Sequence, residues 1–180
     1  MAHRTPEWIY ESFKTFRPGV IPETEVPGTW LSVRTDTPGR HRFTDAYPVN
    51  PKPHPDYGEG MYVMVDGPGF VSFKLNHLVK SLFFGLWSPN GTTGTVHARY
   101  FGDNGNTFEA FDYPVVQTGQ FVYFIAPAKG IAGVEISRNA SSPQHVCIDN
   151  FSTFDEEQLE RVKALKKTSL TIDDIVNIRR

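Results

Sequence analysis

The sequence predicts a mainly β protein, a two-sheet antiparallel β-sandwich (jelly roll) that carries a short N-terminal helix and a C-terminal helical tail. Three observations support this prediction. The 14 Phe, 7 Tyr and 3 Trp favour pleated, half-buried strands. The 15 Gly and 14 Pro supply many turns. Short apolar or alternating segments recur at regular spacing, which is typical of a sandwich rather than of a sheet with crossover helices.

The first predicted element is the short N-terminal helix. Thr5 can cap it, and Pro6 suits its first position, because the backbone N–H that proline lacks has no partner there in any helix. Residues 8–16 then carry an apolar face that we expect to plug one end of the sandwich. Pro18 and Gly19 end the helical pattern.

A period of two replaces the helical period from about residue 29 and predicts nine strands. Residues 36–60 contain five prolines, which exclude both a helix and a central strand, so we expect a long loop there. The run from Asp103 to Asn106 predicts a hairpin turn. The nine predicted strands are residues 29–34, 61–66, 70–76, 81–87, 95–101, 107–113, 120–126, 132–138 and 145–153.

The last 26 residues differ in composition, since 12 of them are charged. Thr153 and Glu156 have the spacing of a capping box, and apolar residues then recur at helical intervals. A break at residues 168–171 separates two short helices. We therefore expect residues 1–154 to form the sandwich with its N-terminal helix, and residues 155–180 to form a helical appendage of the same compact unit.

Charge and hydrophobicity exclude several classes of partner. The net charge of −2 gives no basic surface for nucleic acid. Since the sequence contains no apolar run of about 20 residues, we expect no membrane span. The N-terminus lacks the apolar core of a signal peptide, so we expect a cytoplasmic protein, or one exported without a cleaved signal. The single cysteine, Cys147, excludes an intrachain disulfide and is expected to be buried.

Two segments resemble a known family. Residues 79–113 begin with VKSLFFGLW and lead to the hairpin DNGN, and the last predicted strand begins HVCIDNF. This pattern is similar to the galactose-binding-like, carbohydrate-binding-module-like β jelly-roll domains, and it covers roughly residues 60–154. The long proline-rich loop and the helical tail depart from the family. The resemblance implies that the chain binds glycans without catalysis, or that it holds other domains together.

The long loop is the first candidate ligand site, because sugars are bound by aromatic faces together with planar hydrogen-bonding groups. A loop that merely covers a sheet edge is the alternative interpretation. Trp87 stands near a strand end and is a second candidate platform, as are Trp8 and Trp30, although core packing is the favoured interpretation of each, because aromatic residues dominate protein cores. The candidate ligand-binding residues are Arg40, Arg42, Tyr47, Asn50, His54, Tyr57 and Trp87.

Asp149 on the last predicted strand is the candidate metal ligand. The resemblance implies a structural Ca²⁺ here, and Asp66 and Glu59 are conceivable partners because calcium requires six to eight oxygen ligands. The alternative is that Asp149 accepts backbone N–H bonds and fixes a loop. The histidine and carboxylate spacings do not match a transition-metal motif.

Three functional hypotheses remain. The first is a non-catalytic module that recognises carbohydrate through the long loop. The second is a structural or protein-interaction protein, such as a bacterial or phage accessory component, whose helical tail binds a protein partner or a second copy of the chain. The third is a hydrolase on the same scaffold, for which the sequence offers neither a nucleophile elbow nor a defined pair of acids.

Overall fold

A computed structural model describes residues 9–46, 61–89, 93–126 and 130–180. They form two antiparallel sheets and two short helices. The strands are β1 (Ile9–Glu11), β2 (Gly19–Val20), β3 (Val26–Pro27), β4 (Leu31–Thr35), β5 (Arg42–Thr44), β6 (Tyr62–Val65), β7 (Phe70–Val79), β8 (Ser81–Trp87), β9 (Gly94–Phe101), β10 (Thr107–Val115), β11 (Gln120–Ile125), β12 (Ile131–Arg138) and β13 (Val146–Ser152). The helices are α1 (Glu156–Leu165) and α2 (Ile172–Ile178).

The two sheets have different strand orders. The first sheet runs β11-β8-β13-β6-β5-β2, and β1 pairs with the second half of β13. The second sheet runs β10-β9-β12-β7-β4-β3. All neighbouring strands in both sheets are antiparallel, as the sequence predicts for a sandwich. Each of the nine predicted strands is present, with boundaries that differ by a few residues.

The main core lies between the sheets. Its side chains come from the inward positions of both sheets, for example Val63 on β6, Phe73 on β7 and Tyr100 on β9. In β9 the inward residues Val96, Ala98 and Tyr100 alternate with residues that are more exposed, as expected for a strand with one buried face.

The helical tail packs on the outer face of the first sheet and forms a second apolar cluster there. Ile172, Ile175 and Ile178 of α2 belong to it, together with the sheet residues Phe83 and Trp87. Every residue of β8 is therefore buried, because the main core covers one side of this strand and the tail covers the other. The apolar face of α2 is thus occupied within the chain itself, and this contradicts its prediction as a docking surface for a partner or a second copy.

Hydrogen bonds hold the tail in place. The segment between the helices joins the edge of β11, where the N–H groups of Phe121 and Leu170 each donate to the other residue's carbonyl at 2.8 Å. The guanidinium of Arg179 lies 5.5 Å from the centre of the Phe83 ring and donates to the Thr153 carbonyl at 3.3 Å. Burial lowers the pKa of Arg179 to about 10. None of the helices in the described part of the chain is long and apolar enough to cross a membrane.

The structure differs from the predictions in three local features. The expected N-terminal helix is wrong over the described residues, because Ile9–Glu11 pairs with β13 as a strand and Phe13 has a positive φ of 55°. The expected long loop contains β5, which joins the first sheet between β2 and β6. The cap of α1 is formed by Asp155 and Gln158 rather than by Thr153 and Glu156.

Candidate functional site

The outer face of the second sheet is not covered by any element among the described residues, in contrast to the helix-covered first sheet. Alternation along the strands places polar and aromatic side chains on this face. We call it the polar face and define it by the outward residues Ser32, Arg34, Phe70, Ser72, Lys74, His97, Arg99, Phe101, Glu135 and Ser137.

Strand register arranges the polar face in rows. One row crosses four adjacent strands. In this row Arg99 of β9 pairs with Glu135 of β12, Glu135 pairs with Ser72 of β7, and Ser72 pairs with Arg34 of β4. The guanidinium of Arg99 donates to Glu135, with a distance of 3.0 Å between Nε and Oε2. This ion pair fixes a planar donor beside a carboxylate acceptor at the centre of the face.

A hydrogen bond and a further ion pair border the face. His97 Nδ1 and Asp112 Oδ1 are 2.9 Å apart on β9 and β10. Lys74 Nζ lies 3.4 Å from Glu25 Oε1 near β3. Cross-strand pairs of this kind restrict the side chains while leaving their outer hydrogen-bonding positions accessible to a ligand.

Phe101 provides an aromatic surface on the polar face. It pairs with Gly133 of β12, and the absence of a side chain on the glycine lets the ring lie over the backbone. A Cβ added to Gly133 would stand 2.5 Å from Cζ of Phe101, which is too close for a real contact. Glycine at this position therefore allows the ring to lie against the sheet.

Phe70 is the second aromatic residue of the face, and the guanidinium of Arg34 lies 5.6 Å from its ring centre. Phe70 pairs with Ser137, which pairs with His97, four residues before Phe101 on β9. Ordinary strand geometry therefore separates the Cα atoms of the two residues by ~16 Å along a diagonal. An extended ligand could contact both rings at once.

Two adjoining surface cavities lie along this diagonal. One, of about 360 Å³, is lined by Phe70, His97, Arg99, Glu135, Ser137 and Arg138, together with Gly69. The other, of about 250 Å³, is lined by Phe101, Arg34, Ser72, Lys74, Ser32 and Glu25, with Gly105 and Glu135. Glu135 borders both cavities, so they adjoin on the polar face, and we call the two together the groove.

Of the ligand-binding residues predicted in the long loop, only Arg40 and Arg42 belong to the described part of the chain. Arg42 is bound to Asp66, with 2.7 Å between Nη2 and Oδ2, and Asp66 also binds His145. The side chain of Arg40 packs over Gly67. Both arginines lie near the β6–β7 turn, which adjoins the Phe70 end of the polar face, because Arg138 of that face donates to the carbonyl of Asp66. The predicted ligand residues Tyr47, Asn50, His54 and Tyr57 lie outside the described residues.

Trp87 does not lie at a surface, and its prediction as a ligand-binding platform is wrong. Its side chain is 0% exposed and packs edge-to-face against Tyr62 at 4.9 Å, beneath the helical tail. Trp30 is the exposed indole, at 40%, and its ring contacts His77 at 6.0 Å. The sequence could not distinguish them, because the covering of the first sheet depends on where the tail packs. Trp8 lies outside the described residues.

Asp149 is fully buried where the pairing of β13 is irregular. Its Oδ1 accepts the N–H of Asn150 at 2.8 Å, and Oδ2 has no hydrogen-bond partner among the described residues. Burial raises the pKa of this carboxyl well above its usual value. Asn150 has a positive φ of 56°, so the hydrogen bond to Asp149 holds a tight local turn.

The described surroundings of Asp149 do not supply a calcium coordination shell. Asp66, a conceivable partner, is bound to Arg42 and His145. The carboxylate of Glu11 accepts the N–H groups of Phe13 and Thr29, each at 3.0 Å. The described residues contain no cluster of three or more histidine, cysteine or acidic side chains suited to a metal, and Glu59 lies outside them. The calcium site therefore stays a prediction.

Comparison with known proteins finds chains that resemble this one in structure but not in sequence. Neither a protein-family model nor a curated protein matches the chain. A family 61 carbohydrate-binding module in complex with β-1,4-galactotriose is similar, with 17% identity, a TM-score of 0.49 and coverage of 82% of this chain and 99% of that one. A family 29 carbohydrate-binding module is also similar, with 13% identity, a TM-score of 0.43 and coverage of 77% and 91%.

An exo-β-agarase has the same level of similarity, with 13% identity and a TM-score of 0.49. The alignment covers 83% of this chain and 25% of the agarase, so the chain spans about a quarter of that enzyme. At these identities and scores, the likeness describes an arrangement of strands and names neither a ligand nor a binding residue.

The sequence did not lead to a prediction of the polar face. The signal was present in the alternation of β9, where His97, Arg99 and Phe101 occupy one side of the strand. Alternation alone shows that these residues face outward. It does not show that β12 and β7 lie beside β9 and contribute Glu135 and Phe70 to the same surface.

Proposed function

We propose that this protein is a non-catalytic carbohydrate-binding module and that its glycan lies across the polar face. The position of the Phe101 ring beside Gly133 carries the proposal, because it places an apolar aromatic group on a sheet face whose other outward residues, apart from Phe70, are polar. A pyranose ring has an apolar side formed by C–H groups, and that side stacks well on an aromatic face.

The ion pairs beside the ring complete the chemistry that a sugar requires. Sugar hydroxyls are both donors and acceptors, so they are best matched by a donor and an acceptor held close together. Arg99 and Glu135 provide such a pair between the two cavities. Their strands are central in the second sheet, so the groove is preformed and little ordering is needed on binding.

A glycan array followed by calorimetry on the best ligand tests the proposal. Phe101→Ala is expected to weaken binding about tenfold, or ~1.4 kcal/mol, because it removes the stacking surface. Phe111→Ala is the matched control, since Phe111 is also exposed, at 37%, but lies on the inward side of edge strand β10. It is expected to bind like the unchanged protein.

A protein that binds no glycan on the array would contradict the proposed function. Equal affinities for Phe101→Ala and the unchanged protein would instead place the glycan elsewhere. Parallel arrays in calcium and in EDTA test the separate prediction at Asp149: a signal lost in EDTA supports a bound calcium, and equal signals contradict it.

A further inference from the structure

We propose that the polar face selects acidic glycans, whose carboxylate or sulfate groups bind at its Phe70 end. This inference rests on the proposed carbohydrate-binding function and adds the class of ligand. It begins from the charges around the two cavities. Four cationic side chains line them, against the two carboxylates of Glu25 and Glu135; the cationic residues are Arg34, Lys74, Arg99 and Arg138.

This local excess of positive charge contrasts with the chain as a whole, which has a net charge of −2. A groove lined by one sign of charge attracts ligands of the opposite sign even when the net charge of the protein does not. An anionic ligand in the groove therefore meets more positive than negative side chains among its lining residues.

The two carboxylates are already matched by two of the cations. Arg99 is paired with Glu135, and Lys74 with Glu25. Among the described residues, neither Arg34 nor Arg138 forms an ion pair. The guanidinium of Arg34 lies over the Phe70 ring, and Arg138 donates to the backbone carbonyls of Pro143 at 2.9 Å and Asp66 at 3.3 Å.

Other carboxylates near this end of the sheet are occupied. Asp36 accepts the N–H of Phe70 at 2.8 Å and is fixed by that bond. Asp66 is bound by Arg42 and His145. These two acids stabilise the β6–β7 turn and do not neutralise Arg34 through a direct contact.

A guanidinium beside an aromatic ring suits an acidic sugar. The ring stacks on the C–H side of the sugar, while the planar guanidinium donates two parallel hydrogen bonds to a carboxylate or sulfate at its edge. Arg34 and Phe70 provide this combination, and Arg34 also lines the cavity that contains Phe101. Phe101 provides a stacking surface for a neighbouring uncharged sugar, since its Cα lies ~16 Å from that of Phe70. The geometry therefore fits a chain of sugars with an acidic unit at the Phe70 end.

The experiment uses the full chain and an array of matched glycan pairs that differ only in charge. One set pairs uronic-acid oligosaccharides with their methyl esters, and the other pairs sulfated oligosaccharides with their desulfated forms, so the two sources of negative charge are separated. The acidic member of at least one set is expected to bind about tenfold more tightly than its neutral partner. This preference is expected to shrink as salt is raised, because the contacts are partly exposed.

Variants locate the preference on the face. Arg34→Gln is expected to remove most of the preference for the acidic member, and Arg34→Lys to restore part of it by returning the charge without the planar fork. Arg17→Gln is the matched control, because Arg17 is exposed next to β2 of the first sheet. It is expected to leave the preference unchanged.

The outcomes separate this inference from the proposed function. Equal binding of charged and neutral members, together with weaker binding by Phe101→Ala, would overturn the acidic preference and leave the carbohydrate-binding module standing. A preference for acidic glycans that Arg34→Gln does not reduce would mean that they bind elsewhere through general charge attraction, and it would also overturn the inference. An array without any bound glycan would remove the proposed function and the inference with it.

Discussion

Replacing Ile175 by alanine tests how the helical tail is joined to the sandwich. Ile175 is 0% exposed and belongs to the apolar cluster between α2 and the first sheet. The substitution removes three carbon atoms from a site whose neighbours are strands and helices, so we expect a cavity that the surroundings fill only partly.

The expected loss of unfolding free energy is ~2–5 kcal/mol, and ~3 kcal/mol is a central value for such a site. In a domain of this size each kcal/mol lowers the melting temperature by about 2–4 °C, so a fall of about 6–12 °C is expected. Leu165→Ala is the matched control within the same tail, because Leu165 is 38% exposed on α1. Its melting temperature is expected to fall by less than about 2 °C.

The assay combines calorimetry with thiol reactivity. Cys147 is the one cysteine of the chain and is fully buried in the same cluster, where burial raises its pKa well above the usual value. A thiol reagent added to the folded protein is therefore expected to react slowly, and Ile175→Ala is expected to accelerate the reaction by loosening the tail. Leu165→Ala is expected to leave the rate unchanged.

Two results would refute this reasoning. The first is a melting temperature for Ile175→Ala within about 2 °C of the unchanged protein, which would mean that the tail adds little to the sandwich. The second is a separate low-temperature transition for the helices while the strands melt as before, because the tail would then be an independent unit.

Three further predictions follow from buried polar groups and close packing. Burial raises the folded-state pKa values of both Asp149 and Glu11, so their contribution to stability is present below their unfolded pKa values and is lost as pH rises through the folded ones. Burial also lowers the pKa of His41, which favours the folded state at the higher pH, so the test compares two proteins. Asp149→Asn should lose less stability than the unchanged protein between about pH 5 and about pH 7 in denaturation experiments, and identical profiles would contradict the prediction. Tyr113→Phe removes the hydroxyl that lies 3.0 Å from that of Tyr100 in the core, and urea unfolding should show a loss of ~1–2 kcal/mol; no change would contradict it. A Cβ at Gly133 would stand 2.3 Å from the Phe73 carbonyl oxygen and 2.5 Å from Cζ of Phe101. Gly133→Ala should therefore shift both the β7 backbone and the Phe101 ring at a cost of ~1–3 kcal/mol in urea unfolding, and a variant as stable as the unchanged protein would disprove the close approach.

The strands were predictable because their signal is local. Alternation places every second residue on the same side of a strand, so segments such as β9 and the apolar β8 can be recognised without knowing their neighbours. Glycine and proline mark the turns for the same reason. The two tail helices were also predictable from the spacing of their apolar residues.

The N-terminal segment shows where local signals failed. A good cap and an apolar face favoured a helix, but β13 offers a strand edge with which Ile9–Glu11 pairs. Glu11 then binds the N–H of Thr29, eighteen residues away, and Phe13 and Phe16 fill the main core. Contacts with residues distant in sequence outweighed the local preference of this segment.

The sequence by itself determined the mainly β class, the positions of the strands and the helical character of the tail, because each depends on neighbours within a few residues. Only the tertiary structure decided that the tail covers the first sheet, that Trp87 is therefore buried, and that the second sheet is left as the open polar face. The physical reason is that an apolar strand residue must be buried by another part of the protein, and the local sequence of the strand does not specify which element packs against it. The groove between Phe70 and Phe101 likewise exists only because strands far apart in the chain lie side by side.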